Sequence, residues 1–118
     1  MYIGGTAGAA NGYLFSIPDI HDKEEYTTIV FWINGTVDGK SLSINLNGAA
    51  GPFYNLGAVG TETVEVLPSG QNSYAGSIDT EGEWTKIVLV LEEQPAEIAF
   101  KFGREGHYAL FLDDMYFE

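Results

Sequence analysis

The stretch Tyr26-Thr27-Thr28-Ile29-Val30-Phe31-Trp32-Ile33 decides the fold. Ile29, Phe31 and Ile33 occupy one parity, and Tyr26, Thr28, Val30 and Trp32 the other. Successive strand residues point to opposite faces, so a period of two in β-branched and aromatic residues predicts a strand. Working outward, the same period recurs. Leu42, Ile44 and Leu46 are predicted to point inward, with Ser43 and Asn45 outward. Between Trp84 and Leu91, Ile87, Leu89 and Leu91 oppose Lys86, Val88 and Val90. Ile98, Phe100 and Phe102 share a face opposite Lys101; Tyr13, Phe15 and Ile17 alternate ahead of Pro18; and Tyr108 to Phe117 closes the chain. Weaker runs lie at 52–57, 62–67 and 74–78.

Turn signals separate these runs: Asn34-Gly35, Asp38-Gly39, Asn47-Gly48, Pro68-Ser69-Gly70 and Glu81-Gly82. The 15 glycines supply the positive φ that tight turns require. No run of about a dozen residues keeps a helical period unbroken by Gly or Pro. About eight to ten short strands with turns at roughly 8–12-residue intervals predict an all-β, antiparallel fold, a two-sheet sandwich or a barrel. At 118 residues the chain holds one domain, 1–118. It opens without the basic and apolar segments of a secretory leader and ends on a strand pattern, so both ends read as trimmed from a larger protein.

Composition narrows the function. Five Lys+Arg against 17 Asp+Glu give a net charge of −12, which repels a phosphate backbone or an anionic bilayer. Nucleic-acid partners and membrane insertion are therefore not expected, and no apolar run is long enough to span a bilayer. The absence of cysteine removes disulfides, thiol nucleophiles and thiolate zinc sites. Gly39-Lys40-Ser41 lacks the upstream glycine of a phosphate loop, Asn34 standing in its place, and a strand pattern comes next. No serine sits in a Gly-x-Ser-x-Gly elbow. The carboxylates of Glu24, Glu25, Glu81, Glu83, Glu92, Glu93 and Glu105 fall at turns and strand ends, where solvated charges protect sheet edges. A non-catalytic role is expected.

The second faces of three strands are too apolar for a wetted sandwich surface. Tyr26, Val30 and Trp32 back onto one core parity, Val88 and Val90 onto another, and Ala109 and Phe111 onto a third. Such a face is covered by a loop such as Ala49 to Val59, docks against a neighbouring domain or a second copy, or receives a ligand. In the last case a sugar ring stacks on Trp32, Tyr26 or Phe111, with Arg104 and Asn45 among the polar side chains placed to bind hydroxyls.

Three segments carry a resemblance. Gly82-Glu83-Trp84-Thr85-Lys86-Ile87-Val88 resembles the G-x-W-x-x-V strand of jelly-roll, galactose-binding-like carbohydrate-binding modules. Tyr108-Ala109-Leu110-Phe111-Leu112-Asp113-Asp114-Met115 resembles their final strand, and Tyr26 to Ile33 an early one. The resemblance implies a jelly roll carried by an exported bacterial protein, at the cell surface, outside the cell or in the periplasm, that binds a polysaccharide or other glycan. It also implies a structural calcium near the final strand, at Asp113 and Asp114, although the acidic opening segment of such modules is missing. Adjacent strand carboxylates face opposite ways, so only one of the two can point inward unless a bulge intervenes. The alternative function is an interaction or spacer domain that packs against a neighbour in a parent protein or forms a homo-oligomer.

Overall fold

A computed structural model describes residues 2–6, 12–17, 26–48, 51–95, 97–102 and 107–118. The described residues form ten strands and no helix: β1 (Tyr2–Thr6), β2 (Gly12–Ile17), β3 (Thr28–Asp38), β4 (Leu42–Leu46), β5 (Phe53–Asn55), β6 (Val64–Val66), β7 (Ile78–Asp79), β8 (Thr85–Val90), β9 (Ile98–Phe102) and β10 (His107–Phe117). They make two sheets. One has six strands in the order β1-β10-β3-β8-β6, with β7 added to the far end of β3; the other has the order β2-β9-β4-β5. Every ladder is antiparallel except that of β6 with β8, where Val64 lies opposite Ile87 and Val66 opposite Leu89.

The core obeys the period of two. Ile29, Phe31 and Ile33 from β3, Ile87 and Leu89 from β8, and Leu110 and Leu112 from β10 join Leu42, Ile44, Leu46, Ile98 and Phe100 of the other sheet in one buried cluster. The Phe31 and Phe100 rings meet edge to face, 5.4 Å apart, joining the two sheets. Tyr54 makes a second link, its hydroxyl donating to the Val90 carbonyl at 2.9 Å.

Two local expectations are corrected. Asn34-Gly35 is strand, and β3 turns only beyond Asp38, where Gly39 takes φ 78°. At Asn34 and Gly35 the strand passes from β8 to β7, and Thr80 fills the gap. The Gly35 N–H donates to Thr80 Oγ1 at 2.9 Å, and the Thr80 N–H donates to the Gly35 carbonyl at 3.1 Å. Glycine is required here because φ is +136° and a Cβ would collide with the Ala109 carbonyl of β10. The second correction concerns β4, where Ser43 and Asn45 are as buried as the inward residues. As a central strand, β4 satisfies them internally: Ser43 Oγ donates to Asn55 Oδ1 at 2.9 Å, and Asn45 Nδ2 to the Pro52 carbonyl at 3.4 Å.

Candidate functional site

The face of the six-stranded sheet turned away from the core is built row by row from strand register. Side chains directly opposite one another in neighbouring strands share a face. Trp32 of β3 lies between Lys86 of β8 and Asp113 of β10. The next row sets Val30 between Val88 and Tyr116, with Glu65 of β6 beside Val88. Beyond it, Thr28 lies beside Val90 and exchanges backbone hydrogen bonds with Glu118. In the other direction Asn34 pairs with Phe111. Trp32 is half-buried, whereas Phe111 and Tyr116 are 48% and 42% exposed.

Tyr116 reaches this face through a bulge. Between Asp113, opposite Trp32, and Tyr116, opposite Val30, β10 holds one residue more than β3. Asp114 takes φ 55° there, and its N–H donates to Asp113 Oδ1 at 2.9 Å. The extra residue reverses the parity of the rest of the strand. Met115 and Phe117 turn to the core, and Tyr116 turns outward. Both aspartates are exposed, so neither carboxylate points inward.

Trp84, which sequence reasoning did not single out as a contact residue, belongs to this face. It stands one residue ahead of β8 on the parity of Lys86, 46% exposed. Extending the β3–β8 register by one residue sets it beside Asn34, on the side opposite Phe111. The signal was present in the sequence: Trp84, Val88 and Val90 fall at even spacing opposite Ile87 and Leu89.

The other expected contact residues lie elsewhere. Tyr26 precedes β3, and its ring lies 5.1 Å from that of Phe117, a residue packed on the core. Its backbone is held by Gln94, whose Oε1 accepts from the Tyr26 N–H and whose Nε2 donates to the Tyr26 carbonyl, at 2.8 and 2.9 Å. Asn45, expected at a loop or edge, is 3% exposed inside the four-stranded sheet. Arg104 lies outside the described residues. Phe53–Asn55, inside the segment considered as a cover for the apolar face, is the edge strand of the four-stranded sheet.

Two concave features lie away from Trp32. One, of about 310 Å³, is bounded by Pro52, Phe53, Pro68, Ser69, Glu92 and Glu93. The other, of about 420 Å³, is bounded by Ala58, Thr61, Glu62, Val64 and Glu81. Among the described residues no group of three or more His, Asp or Glu side chains is gathered to hold a metal. Asp113 and Asp114 offer two carboxylates where calcium takes six to eight oxygens; the described side chains do not complete that set.

Set against family models, curated proteins and solved structures, the chain matches none. The site's chemistry therefore rests on the face itself. In strand register Trp32 lies between a lysine and an aspartate, with three further aromatic residues, Trp84, Phe111 and Tyr116, one row away along the strands.

Proposed function

We propose that the chain is a non-catalytic carbohydrate-binding module, a jelly-roll sandwich that takes a glycan on the outer face of its six-stranded sheet. The strand orders support the jelly roll. β1-β10-β3-β8 and β2-β9-β4-β5 are the two sheets produced when a long hairpin folds over and its successive strands alternate between layers. β6 and β7 are additions to that scheme.

The observation that carries the functional reading is the row Lys86, Trp32, Asp113. A pyranose has an apolar C–H face and a rim of hydroxyls that both donate and accept. Trp32 offers the flat apolar surface, Lys86 donors on one side, and Asp113 acceptors on the other. Each stacking contact is worth roughly 0.5–1.5 kcal/mol by analogy with aromatic pairs. Single-site affinity is then weak, and retention on a polymer depends on multivalency or tethering to a parent protein. Export to the cell surface, periplasm or exterior belongs to the same reading and is supported by the resemblance of the three segments.

The test is affinity electrophoresis through gels containing soluble polysaccharides, with and without calcium. Trp32→Ala is expected to abolish retention while leaving the β-sheet circular dichroism unchanged. Calcium dependence of both retention and thermal midpoint would link a metal to the fold, and its loss in Asp113→Asn would point to the pair Asp113 and Asp114. Full retention by Trp32→Ala would overturn the platform. Failure to bind any glycan would favour the interaction or spacer domain, for which the same apolar face is the docking surface.

A further inference from the structure

Resting on that platform, we infer that its ligand is an extended, uncharged glycan chain, and that Trp84 and Phe111 form a second subsite beside the one at Trp32.

The geometry supplies the extension. Trp84 and Phe111 stand on either side of Asn34, two strand spacings or about 10 Å apart. Asn34 is tied to the neighbouring turn, its Nδ2 donating to the Gly82 carbonyl at 3.3 Å and its Oδ1 accepting from Thr80 Oγ1 at 3.4 Å. One row along lies Trp32, and one row beyond that Tyr116. From the Asn34 row to the Val30 row is four residues, about 13 Å along the strands. A monosaccharide covers only one of these rows. A chain laid along β3 meets aromatic surface at each of the three, at the last one from Tyr116 alone because Val30 is buried, with its hydroxyl edges toward Lys86 on one side and Asp113 on the other.

Charge selects the class of chain. Among the described residues Asp113, Asp114, Glu65 and Glu118 stand on or beside the face, against Lys86, in a protein of net charge −12. A uronate-containing or sulfated glycan is repelled. So is a second copy of this chain, because stacking two such faces doubles the acidic excess. Hydroxyl-rich, uncharged chains carry no such penalty.

Retention in gels of mixed-linkage β-glucan, xylan, mannan or galactan, beside polygalacturonate, tests the class. Oligosaccharides of increasing length from the retained polymer, titrated calorimetrically, test the extension. One or more neutral polymers are expected to retain the protein, and polygalacturonate is not. Affinity is expected to rise about tenfold or more from the monosaccharide to the longer oligosaccharides. Trp84→Ala and Phe111→Ala are each expected to lower affinity for the longer chain by about two- to tenfold, the equivalent of one lost stacking contact. Trp84→Ala should not alter the thermal midpoint much, and Trp84→Tyr, which keeps an aromatic surface, should retain most of the affinity. If monosaccharide and chain bind equally, if Trp84→Ala is silent, or if polygalacturonate is retained as well as the neutral polymers, the extended-chain inference is overturned while the Trp32 platform stands. If no polymer retains the protein, or sedimentation shows a dimer that Trp84→Ala dissociates, the platform falls with it.

Discussion

Replacing Tyr54 by phenylalanine isolates one link between the two sheets, and its cost should depend on pH. The Tyr54 side chain is fully buried, and its hydroxyl donates to the Val90 carbonyl at 2.9 Å. Burial, reinforced by the negative charges of Glu92 and Glu93, pushes its pKa up from 10.0 to about 12. Below pH 10 the phenol is protonated in folded and unfolded chains alike, and its contribution is intact. Above pH 10 the unfolded chain loses the proton while the folded one keeps it, so stability falls as pH rises. The slope is about 1.4 kcal/mol per pH unit, reaching about 3 kcal/mol once the folded pKa is passed. At neutral pH, Tyr54→Phe loses one partly compensated hydrogen bond, about 1–2 kcal/mol. The variant should therefore be the less stable protein at pH 7, and the two stabilities should converge near pH 11 by about 1.4 kcal/mol. Urea unfolding followed by circular dichroism at intervals from pH 7 to 11 measures this directly. Subtracting one stability curve from the other isolates the side chain at position 54. Stability curves that stay parallel across the range would refute the buried, proton-holding link.

Two further substitutions probe the backbone that shapes the face. Gly35→Ala forces a Cβ into the Ala109 carbonyl and a side chain onto φ +136°, so it should cost several kcal/mol, about 2–4, and lower the thermal midpoint by 10 °C or more, on the order expected for a domain of this size. An unchanged midpoint would mean that β3 and β10 do not approach so closely. Asp114→Ala should cost about 1 kcal/mol, because alanine resists the left-handed φ of 55°, whereas Asp114→Gly should be neutral or stabilising; equal loss in both variants in thermal melts would tie the cost to the carboxylate instead of the bulge.

The period-two pattern was legible wherever one strand face met the core and the other met water. β8 is the clear case, with Thr85, Ile87 and Leu89 buried and Lys86, Val88 and Val90 half-buried. The pattern misled where a residue's surroundings came from distant chain. Asn34-Gly35 has turn chemistry, yet it is held straight by Thr80 and by the passing backbone of β10. Ser43 and Asn45 alternate with apolar neighbours, yet both are buried because β4 is central in its sheet. The candidate site divides the same way. The parity of Trp32 and Phe111 was readable, whereas the placement of Tyr26 against Phe117 was not.

By itself, the amino-acid order determined that this chain is all-β, that Ile29, Phe31, Ile33, Ile87 and Leu89 face inward, and that an apolar, partly aromatic surface is left on the other side. Those are consequences of local backbone geometry, in which neighbouring side chains alternate faces whatever the rest of the chain does. Tertiary structure alone decided which strands lie side by side, and with that the row of Lys86, Trp32 and Asp113 and the recruitment of Trp84. It also decided that one extra residue at Asp114 would send Phe117 into the core and Tyr116 out to the face. Register is a relation between segments far apart in sequence, set by which pairing buries the most apolar surface, and no single segment carries it.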